Sequence, residues 1–165
     1  MLTSGISFLN FKTKTRSHKL KKKLSNIIKD KNEIIESLSK NYKNNYNKKQ
    51  LTKFKTSSDF RIIGMGGSIL GAQTIYSFLR NKIKKNFLFI DNLQAHRQLK
   101  KKKGSTNLII SKSGNTIETI VNANILVKKR DKNIFITENK NSYLFLLAEK
   151  LKADIIHHNN FIGGR

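Results

Sequence analysis

The chain has 165 residues, 37% of which are hydrophobic, and it carries a formal net charge of +24. This length allows one domain or a little more, and the hydrophobic content is too high for a disordered chain. Cysteine is absent, which excludes a disulfide framework and a thiolate metal site.

The positive charge first suggests nucleic acid or an anionic membrane as a partner. However, lysine, asparagine and isoleucine are abundant together while proline is absent, as expected for a chain encoded by A/T-rich codons. Residues 1–55 hold 15 basic and 3 acidic residues, against 9 and 5 in residues 111–165, so the excess is largest where no motif lies. We therefore favour a solvated surface and expect neither a nucleic-acid nor a membrane partner.

The first third of the chain predicts an arm and a helical segment. Met1 to Ser17 has no clear periodicity, whereas apolar residues recur at steps of three and four from His18 to Tyr46. This pattern predicts one long amphipathic helix or two shorter ones. No apolar run reaches membrane-spanning length, and the apolar segment of a signal peptide is missing, so we expect a cytoplasmic location.

From Phe60 onward, short apolar runs alternate with helical patterns. Helices are predicted over Ile69 to Leu79, over a piece after Asp91 that ends in the basic run Lys100 to Lys103, over Ile117 to Arg130, and after Ser142 as the N-cap. Strands are predicted at Phe60–Ile63, Phe87–Ile90, Leu108–Ile110, Asn133–Ile136 and Asp154–His157. Apolar strands without alternation, separated by helices, indicate an α/β fold with a parallel sheet covered by helices on both faces.

Two loops follow strands of this predicted sheet and open on the same edge. The second, Ser111-Lys112-Ser113-Gly114-Asn115-Thr116, precedes a helix whose first amides lack partners and carry the positive end of the helix dipole. Small hydroxyl side chains and a glycine there favour a phosphate site. The alternative is a cluster of N-cap residues that only starts the helix.

The first loop, Gly64-Met65-Gly66-Gly67-Ser68, matches neither common phosphate motif. Ile69 stands where a dinucleotide fingerprint requires glycine, and Ala72 stands where a P-loop requires lysine. Gly66 and Gly67 would allow close backbone approach, and Ser68 would point into the cleft. Taken alone, this loop could equally be a tight turn.

The histidines and the acidic residues near the loops give weaker evidence of a functional site. His157 and His158 are adjacent and would face opposite sides of a strand, and no spaced ligands complete a metal site with them. Glu118 and Glu138 are the acidic residues nearest the loops. We expect Glu118 to interact with the helix dipole rather than act as a base.

Three motifs together resemble the glucose-6-phosphate isomerase family. They are Gly64-Met65-Gly66-Gly67-Ser68-Ile69-Leu70-Gly71, Ser111-Lys112-Ser113-Gly114-Asn115-Thr116-Ile117-Glu118-Thr119 and Gly163-Gly164-Arg165. The resemblance runs from about Phe60 to the last residue, and it implies a sugar-isomerase (SIS) domain of flavodoxin-like type.

The resemblance also implies roles for particular residues. Ser111, Ser113 and Thr116, with amides near Lys112, would hold a sugar phosphate, and Gly66, Gly67 and Ser68 would line the same pocket. Arg165 would stabilise the charge of an enediol intermediate. The family interconverts glucose 6-phosphate and fructose 6-phosphate in glycolysis and gluconeogenesis, uses no metal or cofactor, and forms homodimers.

The chain departs from the family pattern at its C-terminus. The family's base glutamate and ring-opening histidine follow the Gly-Gly-Arg motif, beyond Arg165. We therefore expect residues 1–55 to form an arm and helical segment, and 56–165 an incomplete first SIS domain of a truncated isomerase. The alternatives are a stand-alone sugar-phosphate-binding module or regulator, and a nucleic-acid-binding protein.

Overall fold

A computed structural model describes residues 18–30, 32–93, 105–138 and 140–163. The arm at 1–17, the helical piece after Asp91 with its basic run, and Arg165 fall wholly or largely outside these ranges. The chain divides into two compact units, residues 1–42 and 43–165. The functional division into 1–55 and 56–165 stays a prediction. Within the described residues, no helix is long and apolar enough to cross a membrane.

The residues described in the first unit form two helices, which is the second of the two alternatives that the periodicity allowed. Helix α1 spans His18–Lys29 and α2 spans Glu33–Glu36. The helical pattern is interrupted between α1 and α2 because Asn32 caps the start of a new helix. Its side chain accepts a hydrogen bond from the Ile34 amide at 2.8 Å.

The second unit is a five-stranded sheet in the order β2-β1-β3-β4-β5, with every neighbouring pair parallel. Its elements are α3 (Lys48–Thr52), β1 (Asp59–Gly64), α4 (Gly67–Phe78), β2 (Asn86–Ile90), β3 (Thr106–Ile110), α5 (Ile117–Leu126), β4 (Lys132–Thr137), α6 (Tyr143–Lys150) and β5 (Asp154–His157). The predicted α/β fold class is confirmed, and all five predicted strands are present.

Helices cover both faces of the sheet, as consecutive residues of β2 show. Phe89 packs on Tyr76 of α4, with ring centroids 5.7 Å apart. Ile90, which points to the opposite face, lies in the main core with Ala123 of α5 and Ala148 of α6. Helix α4 therefore covers one face, and α5 and α6 cover the other.

The main core is a row of side chains across the central strands. Ile63, Ile109 and Phe135 are paired in register on β1, β3 and β4, and each is fully buried. Full burial of such a side chain is worth roughly 1.5–3 kcal/mol relative to exposure. The row fixes the register, because a slip of one residue would turn it out of the core.

Helix α5 ends at Leu126, four residues before the predicted end at Arg130. A polar cluster, which we name the Arg61 cluster, holds this end; it consists of the buried Arg61, Asn107 and Asn133 and the half-buried Asp131. The Arg61 guanidinium donates to the Leu126 carbonyl at 3.0 Å. The Asn133 amide donates to the Lys128 carbonyl at 2.9 Å, and Asp131 accepts from the Lys128 amide at 3.1 Å. These bonds turn the chain toward β4.

Candidate functional site

The two loops lie on neighbouring strands at the point where the sheet changes direction. Gly64, the last residue of β1, is paired with Ile110, the last residue of β3. The next strand after β1 lies to one side and the next strand after β3 lies to the other. In open α/β sheets, ligands bind in the crevice that this reversal creates at the carboxyl ends of the strands. We name the loops the β1 loop (residues 64–68) and the β3 loop (residues 111–116).

Hydroxyl groups organise the β3 loop internally. The Ser111 side chain is 2% exposed, and its Oγ accepts from the Gly114 amide at 3.2 Å. The same Oγ lies 3.0 Å from the Thr116 Oγ1. The exposed Ser113 Oγ accepts from the Asn115 amide at 3.3 Å. Hydrogen bonds within the loop therefore set its conformation, while Ser113 remains accessible.

The start of α5 has no side-chain cap from its N-cap residue. Thr116 occupies the N-cap position with extended backbone but makes no side-chain cap hydrogen bond. Its hydroxyl lies instead against Ser111. The structure therefore does not assign Thr116 the helix-capping role that was the alternative reading of this loop.

Gly114 is required where the β3 loop packs on its neighbours. Its φ angle is +69°, in the left-handed region that favours glycine. A Cβ atom there would lie 2.0 Å from the Ser142 Oγ and 2.7 Å from the Thr137 Oγ1. Contact this close leaves no room for any side chain.

The β3 loop is also bonded to the first turn of α6. The Leu144 amide donates to the Gly114 carbonyl at 3.1 Å, and the Tyr143 amide donates to the Asn115 Oδ1 at 2.9 Å. Ser142, the predicted N-cap, accepts from the Phe145 amide at 3.3 Å, which confirms that prediction. The loop and the α6 N-terminus thus satisfy each other's backbone groups.

Lys112 fastens the other side of the loop to the end of β4. Its carbonyl accepts from the Glu138 amide at 3.0 Å and from the Thr137 hydroxyl at 3.3 Å. Its ammonium lies 3.8 Å from the Glu138 carboxylate and donates to the Asn160 carbonyl. The structure therefore directs this side chain to the ends of β4 and β5.

The β1 loop brings backbone close to β3. Gly66 has φ +53° and ψ −126°, a conformation that only glycine adopts readily. A Cβ on Gly64 would lie 3.0 Å from the Ile110 carbonyl oxygen and 3.5 Å from the Ser68 Cβ. Gly66 and Gly67 are exposed, so their backbone is accessible at the crevice.

The remaining predicted residues are not gathered at the crevice by the described structure. Arg165 lies outside the described residues, so its assigned role stays a prediction. His157 is exposed at the end of β5, and the half-buried His158 has its Nδ1 2.9 Å from the Asn159 carbonyl. Across the ranges that the structure describes, no group of three metal-ligating side chains occurs.

Sequence reasoning missed the support that Thr137 and Ser142 give to the β3 loop. Both are nearly fully buried, with exposures of 2% and 0%. Thr137 ends an apolar strand with a hydroxyl at the same sheet edge, and that position was the available signal. Ser142 was predicted as a cap, but its contact with Gly114 depends on tertiary packing.

Two cavities lie at the opposite edge, near the amino ends of the strands. One, of about 190 Å³, is lined by the starts of β1 and β2 and by Ser105. The other, of about 210 Å³, is lined by four lysines together with Asp131 and Asp154; the lysines are Lys53, Lys129, Lys132 and Lys152. We name the second the lysine cavity. Neither cavity contains a strand-to-helix turn with hydroxyls and open amides. The crevice is therefore the better candidate for a phosphate site than either cavity.

No protein-family model matches the chain. Two curated relatives are both named glucose-6-phosphate isomerase. The protein from Methanocaldococcus jannaschii is 39% identical over 131 residues, which cover 70% of this chain and 32% of that protein. The protein from Borreliella afzelii is 35% identical over 123 residues, which cover 62% of this chain and 23% of that protein. The chain thus spans a third or less of the length of these relatives.

Two solved structures share the fold. The Vibrio vulnificus NanR protein, solved with ManNAc-6P, has a TM-score of 0.52 at 21% identity, covering 70% of this chain and 44% of that one. A putative phosphosugar isomerase from Bacillus subtilis has a TM-score of 0.51 at 16% identity, covering 70% of this chain and 36% of that one. These comparisons confirm the resemblance to glucose-6-phosphate isomerases that the three motifs predict, on an α/β fold shared with solved structures. The chain spans about a third of the length of the Methanocaldococcus jannaschii protein.

Proposed function

We propose that this chain is the sugar-phosphate-binding part of a glucose-6-phosphate isomerase, with the phosphate held by the β3 loop. Ser111, Ser113 and Thr116 supply hydroxyls, the first amides of α5 supply N–H donors, and the β1 loop with Ser68 closes the other side. The observation that carries the proposal is the pairing of Gly64 with Ile110, which sets both loops across the sheet's reversal point. Sequence similarity to the isomerases supports the choice of ligand.

Electrostatics favours a phosphate at this position. The N-terminus of a helix attracts anions through its partial positive charge and its open amides. The net charge of +24 adds a long-range attraction for anionic ligands. The bonds from the β3 loop to α6 and β4 hold the donors in place before the ligand arrives, which lowers the entropic cost of binding.

The isomerisation itself requires groups other than these donors. After ring opening, a base removes the proton from C2 of the open-chain sugar and an acid returns a proton to C1, through an enediol. In the described residues, Glu118 lies in the first turn of α5 and Glu138 lies beside Lys112. We assign both to structural roles, Arg165 to the enediol charge, and the base and the ring-opening histidine to sequence beyond Arg165. The 165-residue chain is therefore expected to bind without turnover.

One observation favours a second candidate, a sugar-phosphate-binding module or regulator. NanR shares the fold, and its solved structure contains a sugar phosphate. Such a protein needs the same phosphate loop but no base. Isomerase activity in a longer gene product would favour the isomerase over the binding module or regulator.

Calorimetric titration with 6-phosphogluconate, a mimic of the open-chain sugar phosphate, tests the proposed site. Saturable binding is expected in the unmodified chain. Ser113→Ala combined with Thr116→Val should weaken it by about a hundredfold, because each lost hydrogen bond to a charged group is worth roughly 1.5 kcal/mol or more. A coupled assay on the same 165-residue chain should show no isomerase activity.

A matched control removes one serine and one threonine hydroxyl elsewhere. Ser58 and Thr52 are exposed, and their hydroxyls bond to Asp59 and to the Lys48 carbonyl. Ser58→Ala with Thr52→Val should leave the affinity unchanged. Equal weakening in both double variants, or binding that disappears in moderate salt in every protein, would mean that net charge alone attracts the anion.

A further inference from the structure

Residues 43–55, which precede the sheet in sequence, are fastened to both ends of the edge strand β5. They belong to the same compact unit as the sheet. At the start of β5, Lys53 forms an ion pair with the Asp154 carboxylate. At the end of β5, the Asn45 side-chain amide donates to the His157 carbonyl at 3.2 Å. The segment therefore extends to the edge of the sheet where the strands end and the crevice lies.

Asn45 also holds the residues that follow β5. The same side-chain amide, which carries two hydrogens, donates to the Asn159 Oδ1 as well as to the His157 carbonyl. Independently, the Lys112 ammonium of the β3 loop donates to the Asn160 carbonyl. The end of β5 is thus held both by the β3 loop and by a side chain that lies 112 residues before His157.

The Gly-Gly-Arg motif begins three residues after Asn160, so the start of the motif depends on these bonds. Three residues span roughly 10 Å at most. The Ile162 amide donates to the Asn159 carbonyl at 3.2 Å, which shortens the connection further. We propose that Asn45 is a positioning residue for the sugar end of the ligand, and that it acts through residues 157–162 on the Gly-Gly-Arg motif. This inference rests on the proposed function, which assigns the enediol charge to Arg165.

A positioning role at the sugar end separates two kinds of ligand. In an open-chain sugar phosphate, the phosphate and the reacting carbons lie at opposite ends. The bonds that fix the β3 loop come from α6 and β4 and do not involve Asn45. Loss of the Asn45 donor should therefore spare the phosphate end and disturb the other end, where 6-phosphogluconate carries a carboxylate. Inorganic phosphate, which can occupy only the β3 loop, is the matched probe.

Asn45→Asp removes the donor at almost constant size, because carboxylate oxygens only accept hydrogen bonds. In titrations of the 165-residue chain, it should weaken the binding of 6-phosphogluconate by about three- to tenfold and change that of inorganic phosphate by less than about twofold. Asn44→Asp makes the same change of charge at the exposed neighbouring position and should leave both affinities within about twofold. Asn45→Asp added to Arg165→Ala should weaken 6-phosphogluconate no further than Arg165→Ala alone, because both changes act on one contact.

Hydrogen exchange of the ligand-free chain measures the positioning without any ligand. The His158 amide, which donates to the Thr137 carbonyl at 3.0 Å, and the Ile162 amide should exchange about threefold faster or more in Asn45→Asp and at unchanged rates in Asn44→Asp. Unchanged exchange in Asn45→Asp, equal loss of both ligands, or equal 6-phosphogluconate affinity in the two variants would overturn the inference while leaving the proposed function in place. An unmodified chain that binds neither ligand would overturn the proposed function and this inference together.

Discussion

Replacing Gly114 with alanine is expected to destabilise the sheet unit by about 3 kcal/mol or more and to abolish sugar-phosphate binding. A Cβ at Gly114 would lie 2.0 Å from the Ser142 Oγ and 2.4 Å from the Ser142 Cβ, and the backbone has φ +69°. Neither Ser142 nor Thr137 can retreat easily, because both are buried. The β3 loop must therefore leave the start of α6, and its phosphate donors lose their positions.

Urea unfolding and calorimetric titration of the same Gly114→Ala protein measure both effects. Gly163→Ala is the matched control, because Gly163 is exposed and a Cβ there would meet nothing within 4 Å. It should change the free energy of unfolding by less than about 0.5 kcal/mol. If Gly114→Ala kept the stability and affinity of the unmodified chain, the described packing of the β3 loop would be wrong.

Replacing Asp131 with alanine is expected to cost about 3 kcal/mol of unfolding free energy, because it leaves the buried Arg61 guanidinium without its acidic neighbour. Arg61 is only 6% exposed, and burial lowers the pKa of its guanidinium while the Asp131 carboxylate opposes that shift. Asp131 also accepts hydrogen bonds from the Lys128 amide at 3.1 Å and from the Asn107 side chain at 3.4 Å. Both bonds are lost in the variant.

The same reasoning predicts that removing both charges is less harmful. Arg61→Met with Asp131→Ala should be more stable than Asp131→Ala alone, since no buried cation remains uncompensated. Asp154→Ala is the control for loss of an acidic residue, because Asp154 pairs with Lys53, whose side chain is 54% exposed. A surface pair of this kind is worth roughly 0–1 kcal/mol. Urea unfolding of the four proteins would contradict this account if Asp131→Ala and Asp154→Ala were equally mild.

Local sequence patterns were sufficient for the five strands and for helices α4, α5 and α6 of the sheet unit, whereas the short helix α3 was not predicted. The strands are short, apolar and buried, so runs such as Phe60–Ile63 and Asn133–Ile136 stand out against a chain that is 27% charged. Ser142 was recognised as a cap because the N-cap bond is local. The placement of both loops at one edge also followed, because parallel strands share their carboxyl ends.

Features that depend on contacts distant in sequence could not be predicted. Nothing local indicates that β1 lies beside β3, which is the pairing that creates the crevice. The early end of α5 depends on Arg61, which is 65 residues from the Leu126 carbonyl that it satisfies. The need for glycine at position 114 depends on Ser142 and Thr137, which belong to later elements. Arg165 falls outside the described residues, so its role remains a prediction from the family resemblance.

The most direct test of the central claim is an NMR titration that follows each backbone amide as 6-phosphogluconate is added. We predict that the largest shifts occur at Thr116, Ile117 and Glu118, with smaller ones at Gly66 and Gly67 across the crevice. These amides form the proposed phosphate site, and their shifts should saturate together. Shifts concentrated instead around the lysine cavity at the opposite edge, or spread over exposed lysines without saturation, would contradict the assignment of the β3 loop as the phosphate site.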